Sequence, residues 1–312
     1  MAIHSVFNPT IELIMKKLLL IPILLLSNYA SGQLKSVIID GRTNDRIPYV
    51  NIWAEGENIG TTSSLKGEFK LKIDKPEIIV FSAIGYELMK ISSDSIISVV
   101  KLTPEITELN EVVVTAKKDS EYLTIGDFKK YKVKVGFGSG TIPWIRARYF
   151  EHKERYRETP FLEKIEILTT SHEDDSKFNI RLYSVNDAGE PGRYLYHKGI
   201  LGIAKKGKKY TEVDLSELNI TFPENGLFIA IEWLVIDENK YEYTYTMYNS
   251  DEELEGFNYN PTVGAVPAET NENSWKYHKG KWDRFSVRNS EMHNKRYRGK
   301  YNLLAMKLTL SN

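Results

Sequence analysis

A chain of 312 residues with six histidines and no cysteine has few routes to covalent or metal chemistry. Without thiols there is no disulfide, no thiolate zinc site, no iron-sulfur ligation and no cysteine nucleophile. A zinc hydrolase of the His-x-x-Glu kind pairs imidazole with carboxylate so that one coordination position stays open for water. The third residues after His4, His152, His172, His197, His278 and His293 are Phe7, Arg155, Asp175, Ile200, Lys281 and Arg296, so that pattern never completes. His-Glu-x-x-His is missing too. Gly136, Gly138 and Gly140 fail G-x-G-x-x-G because Thr141 holds the sixth position, and Ser139 misses the G-x-S-x-G register. A flexible entry or a tight strand crossing fits these glycines better. Glycosidases place two acids roughly 5 to 9 Å apart, and 42 acids single out no pair. No Ser-His-Asp order stands out from chance. No catalytic residue is therefore expected, and no cofactor. Glu173, Asp174 and Asp175 offer hard oxygen ligands of the kind Ca2+ takes, against the plainer reading of a solvated charge run.

Binding chemistry is better represented. The chain holds 19 tyrosines, 12 phenylalanines and 5 tryptophans. Tyr241, Tyr243 and Tyr245 alternate in KYEYTYTMYN, and Trp275, Tyr277 and Trp282 gather in SWKYHKGKW. Flat aromatic faces stack on sugar rings, and a phenol adds a hydrogen-bonding hydroxyl. These six residues are the candidate ligand contacts. Packing in the core or against a second sheet is the alternative for both groups.

Charge narrows the partners. Lys plus Arg and Asp plus Glu both number 42. A nucleic-acid binder would show a basic excess to neutralise phosphates, so none is expected, and the balance gives no reason to expect anionic lipid as a partner.

The elements that would carry these residues read as strands. Val50, Ile52 and Ala54 alternate along one, and Phe69, Leu71 and Ile73 along another. Turn chemistry punctuates them at Asp40-Gly41, Glu55-Gly56 and Lys66-Gly67. Short strands with frequent turns predict a small all-β sandwich. Three stretches, DGRTNDRIPYVNIW at 40 to 53, GTTSSLKGEF at 60 to 69 and FSAIGY at 81 to 86, resemble the carboxypeptidase-regulatory-like domain. That resemblance implies a transthyretin-like sandwich of about seven strands. Many relatives carry Asp or Asn before the turn glycine where this chain has Leu65-Lys66-Gly67, so no cation site at that turn is carried over. The incomplete histidine motifs attach the word carboxypeptidase to the fold and not to an activity.

After Pro104 comes ELNEVVVTAK at 108 to 117, similar to the segment that leads from such a module into the plug and barrel of TonB-dependent outer-membrane receptors. The residues after Lys117 are too few for a barrel of about 22 strands with ~9 to 11 residues each. Val112, Val113, Val114 and Thr115 are a candidate partner strand for sheet addition. The competing reading is a final or bridging edge strand of the chain itself, because an exposed run of this kind aggregates unless paired.

Beyond residue 130 the alternation lengthens. Ile165 and Ile167, then Phe178, Ile180 and Leu182, then Leu304, Met306, Leu308 and Leu310 each mark one face, while FIAIEWLVI at 228 to 236 is apolar on nearly both. NDAGEPG at 186 to 192 reads as a loop with Gly189 and Gly192 in unusual dihedrals. The order of these segments resembles jelly-roll domains of exported Gram-negative proteins, families with no single activity.

Lys16 and Lys17, the apolar run Leu18 to Ser27 and the small residues Ala30, Ser31 and Gly32 read as a secretory signal peptide cleaved before Gln33, with Met15 the expected initiator. An uncleaved anchor is the alternative, although the run is about half of the ~20 residues a bilayer requires. The expected map is a leader over 1–32, a carboxypeptidase-regulatory-like sandwich over 33–102, a linker or edge strand over 103–130 and a jelly-roll-like sandwich over 131–312. No transmembrane span is expected after cleavage, and the expected address is the periplasm, outer membrane or cell surface of a Gram-negative bacterium. The expected function is non-catalytic: an envelope protein that binds a glycan or a protein partner through its sandwiches. A structural accessory subunit of an outer-membrane assembly, or a hydrolase with an unrecognised site, are the other readings.

Overall fold

The computed structural model describes residues 32–105, 120–247, 251–278, 280–286 and 295–312, and the leader and Val112 to Thr115 lie outside them. The architecture is all-β, a small transthyretin-like sandwich followed by a larger jelly-roll-like one. Among the described residues no helix is long and apolar enough to cross a membrane.

The small sandwich uses seven strands: β1 (Gly32–Asp40), β2 (Asn51–Ala54), β3 (Gly60–Thr62), β4 (Glu68–Ile73), β5 (Ile78–Ser82), β6 (Met89–Ser92) and β7 (Val99–Leu102). One sheet runs β4-β1-β7, with β1 antiparallel to β4 and parallel to β7, and the other runs β3-β2-β5-β6. Strict alternation in β4 buries Phe69, Leu71 and Ile73 and exposes Glu68, Lys70 and Lys72. The buried set meets Ile38, Ile52, Ile79, Phe81 and Leu102 between the sheets. Gly67 turns the chain into β4 at φ +71°, where a Cβ would lie 2.8 Å from the Ile38 carbonyl oxygen.

The larger sandwich begins with β8 (Tyr122–Ile125), β9 (Val135–Ser139), β10 (Ile145–Phe150), β11 (Phe161–Ser171) and β12 (Ser176–Val185). It continues through β13 (Pro191–Tyr194), β14 (Ile200–Ala204), β15 (Gly207–Asp214), β16 (Leu227–Trp233) and β17 (Lys240–Thr246). β18 (Glu253–Ala268), β19 (Ser274–His278), β20 (Lys281–Arg284), β21 (Tyr301–Leu304) and β22 (Met306–Ser311) complete it. A seven-stranded sheet runs β13-β12-β16-β10-β19-β20, with β14 also on β12. An eight-stranded sheet runs β17-β18-β11-β22-β8, with β15 on β11 and both β9 and β21 on β18. The main core fills the space between them: Ile165, Ile167, Met306 and Leu308 from one sheet meet Phe178, Ile180, Ile229 and Trp233 from the other. β8, within the stretch read as linker or edge strand, takes the outer place beside β22.

Two glycine expectations come apart. Gly189 adopts φ +75°, but Gly192 is not in the left-handed region and belongs to β13. Its small size serves a close approach instead, since a Cβ there would sit 3.0 Å from the Ser184 Oγ. Gly136 likewise lets β9 cross tightly, with a Cβ only 2.6 Å from the Thr262 Cγ2.

The sandwiches stack in layers. β2 and β5 turn Ile52 and Phe81 into the small core and Asn51, Trp53 and Ser82 toward the larger body. There the Thr62 N–H donates to the Val235 carbonyl (3.2 Å), and the Val235 N–H donates to the Thr62 Oγ1 (2.9 Å). The β4-β1-β7 sheet is therefore the layer farthest from the larger sandwich.

Candidate functional site

β16 lies in the middle of its sheet, and all seven of its residues are buried. Alternation sends Leu227, Ile229, Ile231 and Trp233 into the main core and Phe228, Ala230 and Glu232 to the opposite face. β12 does the same with Asn179, Arg181 and Tyr183, and its register sets Asn179 beside Glu232. A buried ion pair results. Arg181 donates from Nε to Glu232 Oε2 (2.7 Å) and from Nη2 to Oε1 (2.5 Å), and both side chains are almost wholly buried. Asn179 Nδ2 donates to Oε2 (2.9 Å), and Asn51 Nδ2, from the small sandwich, donates to Oε1. Arg181 Nη1 donates to the Tyr194 hydroxyl. Burial alone would push the Arg181 guanidinium down, but the Glu232 charge and its neighbours outweigh it and hold the cation above its ordinary value. With two donors on each oxygen the Glu232 carboxylate has used its acceptor sites. This acid holds the two sandwiches together.

A cavity of about 40 Å³ beside it, walled by Trp53, Ser82, Trp144, Tyr277 and His278, is small against the ~300 to 1,000 Å³ of ligand pockets. A shallower hollow of about 390 Å³ lies between β14 and β15. Its acids are engaged: Glu212 with Lys164 (2.8 Å), and Asp214 Oδ1 as acceptor from the Ser216 N–H (2.8 Å). Among the described residues no group of three or more His, Asp or Glu is placed to hold a metal. Asp174 and Asp175 accept hydrogen bonds from the turn at Lys206 and Lys205, and Glu173 gives its carbonyl to the Ser171 hydroxyl.

The two aromatic groups differ in placement. Trp275 is 4% exposed, donates from its indole to the Glu272 carbonyl (2.9 Å) and meets Phe228 edge-on at 5.7 Å. Tyr277 and Trp282 are cross-strand partners with centroids 5.3 Å apart, and Trp282 also meets Tyr183 at 5.4 Å. All three pack on the outer face of the seven-stranded sheet around Phe228 and Ala230. Trp275 has no face left for a ligand, because Phe228 and Arg284 lie against it.

The tyrosines of β17 stand on a projecting ribbon. β17 pairs with β18 from Lys240↔Tyr259 to Thr246↔Glu253, while β18 meets other strands only from Tyr259 onward. Residues 253 to 258 thus have β17 as their one strand neighbour among the described residues. Two-stranded ribbons alone are marginal in water, and an aromatic row steadies this one. The His172 imidazole stacks on Tyr241 at 3.9 Å and 8°, Tyr241 lies 5.9 Å from Tyr243, and Tyr243 lies 6.0 Å from Tyr245. Opposite Tyr243 stands Gly256, where a Cβ would come within 3.0 Å of the ring, so the glycine gives the phenol room to lie across the ribbon. Asn258 Nδ2 donates to the Tyr243 hydroxyl (3.3 Å). Tyr241 and Tyr243 are half-buried, and Tyr245 is 45% exposed.

The sequence reading passed over His172, Gly256 and Asn258, which frame this row, and the Arg181, Glu232 and Asn51 network. Outward positions of β12 carried the one usable signal: Asn179 and Arg181 alternate with the apolar Phe178, Ile180 and Leu182.

Residues 34–114 match the CarboxypepD_reg-like domain, 81 of the 312 residues, so the small sandwich is a domain of that type. The match takes in β1 to β7 and runs on to Val114. No curated protein matches the chain.

Proposed function

We propose that this chain is a non-catalytic exported envelope protein that binds an extended partner, a glycan or a protein, through its larger sandwich, with the tyrosine face of the β17–β18 ribbon as the contact. The observation that carries this reading is the row of half-buried Tyr241 and Tyr243 and exposed Tyr245 on a ribbon that projects past its sheet. Aromatic side chains offer large contact area with hydroxyls at the rim. Tyr277 and Trp282 border the ligand surface at most, as half-buried neighbours of the packed hairpin. Export rests on the basic, apolar and small-residue order of residues 16 to 32. The family type of the small sandwich and the saturated Glu232 carboxylate support the non-catalytic side.

A glycan array and a protein pull-down with the full chain, with and without Ca2+, test the reading beside a Tyr243→Ala, Tyr245→Ala variant checked for its circular dichroism. Binding that falls at least tenfold in the folded variant supports it. Binding that is unchanged there contradicts it. A second reading, a structural accessory subunit of an outer-membrane assembly, draws on Val112 to Thr115, of which the domain match takes in Val112 to Val114. Partner capture lost on Val113→Lys, with the tyrosines intact, would favour that reading.

A further inference from the structure

The outer face of the β4-β1-β7 sheet carries an unbalanced charge. Alternation presents Lys35 from β1, Lys70 and Lys72 from β4 and Lys101 from β7, all exposed. Lys35 stands directly opposite Lys70 in the register, and like charges so placed cost stability. Nearby, Arg46 pairs with Glu68 and Lys75 with Glu57 and Glu77. None of the four lysines has an ion pair among the described residues. Between them runs an apolar strip of Val37, Ile39 and Val99, the last 39% exposed.

The complement lies in the same chain. Residues 237 to 259 hold seven acids and one base, Lys240. The register sorts them by face: Tyr241, Tyr243 and Tyr245 point one way, and Glu242, Glu253, Glu255 and Phe257 point the other, where Lys240 also lies, paired with Glu242 (2.5 Å) and 5.0 Å from the Phe257 ring centroid. Glu253 and Glu255 are exposed with no ion pair among the described residues, and Phe257 is 41% exposed. Beyond the Lys240–Glu242 pair, the ribbon face carries Glu253 and Glu255 beside Phe257, opposite in charge sign to the sheet face with lysines around an apolar strip. Within one chain the surfaces are kept apart, because the lysine face is the layer turned away from the body that bears the ribbon.

We propose that copies of this chain associate head to tail, the glutamate face of one ribbon docking on the lysine face of the next. The contact is heterologous, so it extends into chains or closes into a ring. It uses the side of the ribbon opposite the tyrosines and does not depend on the ligand reading above. Charge-led docking of exposed groups weakens as salt shortens the Debye length from about 10 Å at 0.1 M to about 3 Å at 1 M.

Sedimentation of the full chain across concentration and salt, with two charge-reversed variants, decides the matter. The wild type is expected to gain mass with concentration at low salt and return to monomer at high salt. Lys70→Glu, Lys72→Glu should be monomeric, as should Glu253→Lys, Glu255→Lys. An equimolar mixture of the two should form a 1:1 dimer, because one retains a working ribbon and the other a working lysine face. This complementation also reports that both variants are folded. A wild type that stays monomeric at low salt, association that survives high salt as an apolar leader would cause, or a mixture that stays monomeric overturns the proposal. Capture of a foreign partner by a monomeric wild type overturns it as well. Ligand binding by the tyrosine face should be retained in both variants.

Discussion

The hairpin of β19 and β20 and the ribbon of β17 and β18 both present aromatic residues on paired strands, yet the hairpin buries its Trp275 fully while the ribbon leaves Tyr245 exposed. Trp275, Tyr277 and Trp282 lie on a sheet whose outer face is covered by Phe228, Tyr183 and Tyr194. Tyr241, Tyr243 and Tyr245 lie where β18 has outrun its sheet and, among the described residues, no strand besides β17 pairs with it. Composition and period are alike in the two regions; the number of neighbours around the pair decides whether an aromatic row becomes core or surface. The ribbon compensates locally, through the His172 stack and the space at Gly256.

The largest effects should come from the packed side of this contrast. Arg181→Ala leaves Glu232 buried without its cation, which costs about 3 to 5 kcal/mol, read as a lower midpoint in urea. Trp275→Ala should cost about 3 to 5 kcal/mol by the cavity it opens among Phe228 and its neighbours. Comparable stability in either variant would mean that this face is less tightly packed than its contacts indicate. Asn51→Ala removes one donor to a charged acceptor across the two sandwiches, worth about 1.5 to 3 kcal/mol. It should also separate a single unfolding transition into two by calorimetry. On the ribbon the order reverses: Tyr245→Ala should shift stability by no more than about 0.5 kcal/mol, while weakening the ligand.

A smaller effect belongs to pH. The Thr43 and Arg42 backbone N–H groups, with the Tyr86 hydroxyl, hold the Asp40 carboxyl below its usual range. Its stabilising contribution is complete above the ordinary carboxylate pKa of about 3.9 and is lost as pH falls through the depressed folded value. Burial, followed by the hydrogen bond to Asp40, pushes the Tyr86 phenol up to about 12. That contribution is complete below the ordinary value near ~10 and is lost as pH rises toward 12. Urea midpoints against pH should therefore fall at both ends. Asp40→Asn should remove the Asp40 part of the acid limb and weaken the alkaline one, and Tyr86→Phe should remove the Tyr86 part of the alkaline limb and weaken the acid one.

How much of this was legible in the sequence follows from the range of each interaction. The core faces of β4, β11, β12 and β22 could be read because alternation is local and their partners are uniformly apolar. Phe81-to-Tyr86 and Asp40-to-Thr43 could be read as motifs, but the bond between Tyr86 and Asp40 spans 46 positions and leaves no local sign. FIAIEWLVI announced burial on both faces without announcing that Glu232 would be paid for by residues at 179, 181 and 51. The aromatic groups could be found by spacing and not ranked by it, since the strands that pair beyond each hairpin set their exposure. Gly192 was assigned a turn geometry because loops favour it, and its true constraint is the nearness of Ser184.

The most direct test of the account is a side-by-side affinity measurement on the full chain, against whatever glycan or protein the arrays return, for Tyr243→Ala, Tyr245→Ala and for Tyr277→Ala, Trp282→Ala. The account predicts at least a tenfold loss in the first variant and a change under threefold in the second at temperatures where both are folded. A loss confined to the second would place binding on the hairpin and contradict the ribbon as the contact surface.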